Sequence, residues 1–346
     1  MLSPTMSVNS LSPNEPMHLI EPADNWKLRH HIKPITAVKF NPDGDLFFSA
    51  CKNNTDNLVV WRVATGEKIG TYNGHTGAIF CVDVDAQSQK LVSGSGDGRG
   101  NIWDIETGKL IYSCDNLVAT KSVSFTPDGQ KVLMCTDAIL GQQPAIWVYD
   151  TKSGELIKKH QTQSIPSAIN TTIDGRIIYA DKLGSINLLD ERTFSLLSQT
   201  KLHQAKINSL TPSFCRTYFV SSSSDFKSKI ISVANQDPVV IREFLSDSPI
   251  NCARATPDNR MVFCVGGTDA REVTTTKGKG NFNIEAFDCV NSKLIGHYST
   301  HFGTINVVDV HPSGNALLSG GEDGVICLIR LDDNSFLNAP FTPFTD

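Results

Sequence analysis

Ser93-Gly94-Ser95-Gly96-Asp97-Gly98-Arg99-Gly100-Asn101-Ile102-Trp103-Asp104 carries a pattern from which the organisation of the whole chain follows. A run of small residues ends at Asp97-Gly98, a pair suited to a tight turn, and a second run leads to Trp103-Asp104, with Trp103 six residues after Asp97. Glu106-Thr107-Gly108-Lys109-Leu110 then supplies another turn and the start of a further strand. Parts of this unit return elsewhere. Asp323 stands six residues before Ile329, and Thr65-Gly66 and Ser153-Gly154 follow Trp61 and Tyr149 as Thr107-Gly108 follows Trp103. A single match of this kind is weak, whereas its recurrence marks an internal repeat.

Two more landmarks set the period. Strands end in Pro-Asp-Gly type turns at Phe40-Asn41-Pro42-Asp43-Gly44, Phe125-Thr126-Pro127-Asp128-Gly129, Ala255-Thr256-Pro257-Asp258-Asn259 and Val310-His311-Pro312-Ser313-Gly314. Short apolar runs occupy the position after the turn in each of seven units, among them Leu46-Phe47-Phe48, Leu91-Val92 and Leu317-Leu318. Upstream stand His31, His75, His203 and His301, with Asn116, Thr162 and Ser246 near the matching positions. The successive steps are 44, 41, 46, 41, about 43 and about 55 residues. A period of about 40–45 residues with four short strands per unit is the signature of WD repeats. The expected fold is therefore all-β, a seven-bladed WD40 β-propeller over residues 25–338, between a disordered N-terminal tail (1–24) and a C-terminal tail (339–346).

The second unit resembles a WD repeat most fully. That resemblance implies a buried hydrogen-bonded chain of His75, Ser93 or Ser95, Asp97 and Trp103, in which imidazole and backbone N–H groups satisfy the turn carboxylate. His301, Ser319 and Asp323 repeat part of the set, which argues for a structural network over a Ser-His-Asp hydrolase triad. Seven blades must close into a ring, because an open edge strand invites aggregation. Pro340 and Pro343 disfavour a closing strand at the C-terminus. Trp26-Lys27-Leu28-Arg29-His30 alternates and directly precedes the first unit, so it is expected to supply the outer strand of the seventh blade.

Composition narrows the function. The chain has 346 residues, 40% hydrophobic and 19% charged, with a net charge of −5. No stretch approaches the roughly 18 apolar residues of a membrane span, so no membrane partner is expected. With 31 basic against 36 acidic residues, nucleic acid is not the default partner. The nine cysteines form no C-x-x-C motif and no pair is closer than twelve residues, which indicates buried thiols in a reducing, cytoplasmic setting and no zinc site. The glycines at 94, 96, 98 and 100 have the wrong spacing for a dinucleotide fingerprint, and Gly278-Lys279-Gly280 lacks the rest of a phosphate loop. Neither a helical His-x-x-x-His nor a paired-carboxylate motif is present, so neither enzyme activity nor a cofactor or metal is expected. Residues 266–282 lengthen the sixth unit by about ten residues, a size often associated with function. Arg271, Lys277 and Lys279 make this loop basic, and direct RNA contact is left open there.

Gly70-Thr71-Tyr72-Asn73-Gly74-His75-Thr76-Gly77-Ala78, then Glu272-Val273-Thr274-Thr275-Thr276 with Gly280-Asn281-Phe282, then His301-Phe302-Gly303-Thr304-Ile305-Asn306, His311-Pro312-Ser313-Gly314 and Ser319-Gly320-Gly321-Glu322-Asp323-Gly324 extend this picture. Together they resemble the I subunit of eukaryotic translation initiation factor 3, over about Trp26 to Asp332. The resemblance implies a non-catalytic scaffold in a complex that binds the 40S ribosomal subunit and promotes mRNA recruitment. It also implies a propeller that grips a C-terminal helix of the factor's B subunit, with the G subunit docking nearby. In that family, acidic positions on the fifth and sixth blades meet basic residues of the helix. Asp225 matches one of them; the other, in an Ile-Asn-Asp context, falls at Ser209, and Lys227 lies beside the site. The alternative is a WD40 adaptor of the serine/threonine kinase receptor-associated type, in signalling or RNA-protein assembly.

Overall fold

Each turn signal reverses a strand of four to seven residues, and the chain folds into seven four-stranded antiparallel sheets arranged as a β-propeller. The computed structural model describes residues 24–53, 55–139, 141–267 and 282–331. Most of the 266–282 loop, residues 1–23 and all positions after 331 lie outside the described residues. Blade 1 comprises Ile35–Phe40, Leu46–Cys51, Leu58–Arg62 and Lys68–Thr71, from the axis outward. Blade 2 repeats this as Ile79–Val84, Lys90–Ser95, Arg99–Asp104 and Leu110–Asp115. The seventh blade takes three strands from the end of the described chain and its outer strand, Asp24–Arg29, from the beginning. That strand pairs antiparallel with Val325–Arg330, from Asp24 opposite Arg330 to Arg29 opposite Val325. The ring therefore closes through the N-terminal strand, in agreement with the sequence reading.

Burial explains the composition of the strands. Second and third strands lie between neighbouring sheets and are buried on both faces, as in Leu46–Cys51 and Val325–Arg330, so they are runs of apolar and small residues and not alternating ones. Outer strands such as Leu110–Asp115 are mostly exposed. Among the described residues the core forms seven apolar clusters, one between each pair of adjacent blades. At the closure, Trp26 and Leu28 pack with Phe47, Trp61, Leu318 and Leu328. Removing such a side chain from water contributes about 1.5–3 kcal/mol.

Polar groups join the blades at the axis. All seven innermost strands shift register between their first and third residues, as between Ile35 and Ala37 or Ile207 and Ser209. Such a bulge leaves the second residue unpaired across the sheet. In blades 5, 6, 7 and 1 that residue clasps the next blade: Asn208 Nδ2 donates to Ile250 O (2.8 Å), Asn251 to Ile305 O (3.0 Å), Asn306 to Ile35 O (2.8 Å), and Thr36 Oγ1 to Ile79 O (2.6 Å). A second belt runs through the fifth residue of every innermost strand. Its links are Lys39–Asp83, Asp83–Phe125 N, Ser124–Asn170, Asn170–Leu210 O, Thr211–Ala253 O, Arg254–Asp309 and Asp309–Phe40 N. This belt passes through all seven blades and returns to its start.

Candidate binding face

One end of the ring carries the turns between second and third strands and the connections entering each new blade. There Trp103 Nε1–H donates to Ser93 Oγ (2.8 Å), which directs the Ser93 proton to His75 Nε2 (2.8 Å). The remaining proton, on His75 Nδ1, then points at Asp97 Oδ2 (2.9 Å). Asp97 also accepts from the N–H groups of Thr76 (2.9 Å) and Arg99 (3.0 Å). Burial holds His75 below the usual histidine range and so keeps it neutral. Burial pushes the Asp97 carboxyl up, but the Thr76 N–H and His75 more than reverse this and hold it below the usual carboxylate range. The serine in this chain is Ser93; Ser95 instead accepts from the Asp97 N–H (3.2 Å). In blade 7, His301 meets Ser319 (2.8 Å) through Nε2 and Asp323 (3.0 Å) through Nδ1.

Asp225 occupies the equivalent place in blade 5. His203 bonds Ser221 (2.7 Å) and Asp225 (3.0 Å), and the N–H groups of Gln204 (2.9 Å) and Lys227 (3.2 Å) donate to the same carboxylate. Only 10% of the Asp225 side chain is exposed. The spacing of His203, Ser221 and Asp225 equals that of His75, Ser93 and Asp97, so this third network was readable from the sequence once all three were aligned. Lys227 lies two residues on, at the start of the third strand, with its ammonium on Glu243 Oε1 (2.5 Å) while Lys229 holds Oε2 (2.9 Å). Ser209 stands elsewhere, on the innermost strand Ile207–Pro212 in the wall of the axial cavity. The structure thus joins Asp225 and Lys227 in one turn and places Ser209 on the channel side of the same blade.

Other blades vary the theme. In blade 1, His31 bonds Ser49 (2.8 Å), which also accepts from Trp61 (2.8 Å), but the turn before Trp61 is two residues longer than before Trp103. His31 Nδ1 is buried without a hydrogen-bond partner among the described residues. In blade 3, Asn116 replaces the histidine, accepting from Tyr149 O–H (2.8 Å) and donating to Thr120 (2.8 Å). In blade 4 the carboxylate has moved two residues back onto the strand as Asp181, fully buried, where it accepts from Ser164 (2.7 Å), Leu183 N (2.9 Å) and Ser185 N (2.8 Å).

Phe226 was not singled out from the sequence. It follows Asp225 where blades 2, 4 and 7 have Gly98, Gly184 and Gly324, all with left-handed φ of 87°, 90° and 70°. Phe226 adopts φ 69° with a bulky side chain that is 43% exposed. A side chain in this region of φ costs roughly 1–2 kcal/mol. The Ser246 N–H donates to the Phe226 carbonyl, and the residue before it, Leu245, is 67% exposed and pairs with Lys227 across the strands. The sequence signal was available: a Phe in the glycine slot of an Asp-Gly turn. Among the described residues no group of three or more His, Cys, Asp or Glu side chains is placed to hold a metal ion.

Comparison with known proteins adds a second line of argument. The family model EIF3I matches residues 26–341. The chain is 35% identical over 321 residues to "Eukaryotic translation initiation factor 3 subunit I" of Aspergillus oryzae, spanning 89% of this chain and 95% of that protein. It is 33% identical to the protein of the same name from Schizosaccharomyces pombe, over 89% of this chain and 97% of the relative. The Danio rerio protein of that name is also 33% identical, with the same two coverages.

Proposed function

Because this chain belongs to the family of I subunits of eukaryotic translation initiation factor 3, we propose that it is a non-catalytic scaffold of that complex, working in the cytoplasm. Its fifth blade receives a C-terminal helix of the B subunit, with the G subunit docking nearby, and the assembly supports mRNA recruitment to the 40S ribosome. The observation that carries the docking site is Phe226, an exposed aromatic ring held in a backbone conformation that three other blades reserve for glycine. Backbone strain of this kind is often kept at functional positions, and here it holds an aromatic ring at the surface.

The geometry divides the work within the turn. Asp225 is engaged by His203, Gln204 and Lys227 and sets the shape of the turn. Phe226 and Leu245 offer the apolar anchor that an amphipathic helix requires. Glu243, Lys227 and Lys229 form a charged rim that selects the helix by its own charges. Ser209 contributes through the channel-side packing of the blade and makes no charge contact.

A pull-down of a C-terminal fragment of the B subunit with wild type, Asp225→Lys and Phe226→Gly tests this reading. Loss of capture by both variants, each still folded by circular dichroism, supports it, and undiminished capture by both overturns it. Co-sedimentation with 40S particles and mass spectrometry of a native pull-down test the placement in the complex.

A further inference from the structure

Four residues ahead of every innermost strand stands the histidine position, and the residue after it is exposed in all seven blades, on the end of the ring that carries the turns between second and third strands. It is polar in four blades, as Thr76, Gln163, Gln204 and Asp247, and apolar as Leu117 in blade 3. In the neighbouring blades 7 and 1 it is Phe302 and Ile32. These are 79% and 87% exposed, the two most exposed large apolar side chains among the described residues.

Both flank one turn. The Phe302 N–H donates to Asp323 Oδ2 (3.3 Å), and Gly324 packs so closely on the backbone carrying Ile32 that a Cβ there would lie 2.9 Å from His31 O and 3.3 Å from Lys33 O. The turn itself is held, Asp323 by His301 (3.0 Å) and the Val325 N–H (3.1 Å), and Glu322 by Lys52 (2.9 Å) and Asn306 (2.9 Å). The two anchors therefore stand on a preformed platform, which lowers the ordering cost of binding.

The unpaired charges beside this turn are cationic. Lys27 Nζ lies 5.2 Å from the centroid of the Phe302 ring. Arg29 follows two residues on in the closing strand and so shares the face of Lys27, and Lys33 directly follows Ile32. All three are exposed, and none is in an ion pair among the described residues. Both carboxylates of the turn are already engaged, and Asp56, beside His30, is matched there by Lys68.

We propose that the blade 7 turn, between Phe302 and Ile32, is a docking site for an acidic amphipathic segment of a partner protein. Its apolar residues cover the two anchors while its carboxylates meet Lys27, Arg29 and Lys33. A lysine over the Phe302 ring and an aliphatic Ile32 leave little stacking surface for bases, which disfavours single-stranded RNA. The site is two blades from Phe226, where Glu243 already neutralises Lys227 and Lys229, and it does not rest on the docking reading made there.

Fluorescence anisotropy of the full chain with a labelled amphipathic peptide of leucine and glutamate, against its counterpart with lysine in place of glutamate, tests the site. Saturable binding of the glutamate peptide alone, weakened about tenfold or more by Phe302→Gln and by Ile32→Ser and unaffected by Leu117→Ser, supports the proposal. Lys33→Glu, at an exposed rim position where the fold is not at risk, should weaken binding as well and lessen its salt dependence. Failure of the glutamate peptide to bind, equal binding of the two peptides, binding undiminished by Phe302→Gln and Ile32→Ser, or equal weakening by Leu117→Ser overturns it. So does a single-stranded RNA oligonucleotide that binds in place of the peptide and is lost with Phe302→Gln, or self-association in sedimentation that the same variants abolish, since RNA or a second copy of this chain is then the occupant.

Discussion

Arg254 of blade 6 and Asp309 of blade 7 stand 3.1 Å apart beside the axis, their side chains only 9% and 6% exposed. Arg254 Nη1 also donates to Pro212 O of blade 5 (2.7 Å), and Asp309 Oδ2 accepts from Phe40 N of blade 1 (2.9 Å). This pair therefore connects four consecutive blades. Breaking a buried pair leaves one charge uncompensated, at a cost of about 3–5 kcal/mol. Arg254→Met should lower unfolding stability in urea by that order. Arg254→Met combined with Asp309→Leu should recover part of the loss, because no lone charge remains; a double variant as unstable as the sum of the singles would refute the pairing.

Closure of the ring depends on Asp24–Arg29. Deleting residues 1–30 exposes the Val325–Arg330 edge and removes Trp26 and Leu28 from the cluster between blades 7 and 1. The melting temperature should fall by about 5–10 °C, with aggregation. Deleting residues 1–22 leaves the strand in place and should change little. Equal effects of the two deletions in a thermal melt would show that the strand does not close the ring.

His31 makes stability pH-dependent. Burial, helped by the neighbouring His30 and Lys68, lowers its pKa from 6.5 to about 4. The unfolded chain therefore takes up this proton near pH 6.5 while the folded chain resists until about pH 4. The stabilising contribution is complete above pH 6.5 and is lost as the pH falls across that window, about 3 kcal/mol in all. His31→Gln should flatten the dependence of melting temperature on pH between 7 and 4.5. An unchanged slope would exclude His31 as its source.

Phe226→Gly should separate stability from binding. Glycine adopts the left-handed conformation without strain, so the variant should gain about 1 kcal/mol in urea unfolding while losing the C-terminal fragment of the B subunit. A variant that is both less stable and binding-competent would show that Phe226 serves packing alone.

The networks of blades 2 and 7 were legible because their residues follow one another at fixed spacing within a unit: His75, Ser93, Asp97 and Trp103, and again His301, Ser319 and Asp323. Phe226 was legible in principle, as a departure from Gly98 and Gly324. Ser209 was harder to place. The family resemblance implied an aspartate contact at this position, a charge that a serine does not supply, and its place on an innermost strand puts it on the cavity wall.

Local chemistry in the sequence alone determined the number of blades, the strand order within each and the closing role of Trp26-Lys27-Leu28-Arg29-His30, because turn residues and apolar runs act over a few residues and recur with a period. The tertiary structure decided how the blades join. The axial belt pairs Asp309 with Phe40 and Arg254 with Asp309 through Lys, Asp, Ser, Asn, Thr and Arg in turn, so no repeated residue announces it. Contacts of this kind are made between positions far apart in the chain, and their energy depends on burial and distance, which no single unit of the repeat contains.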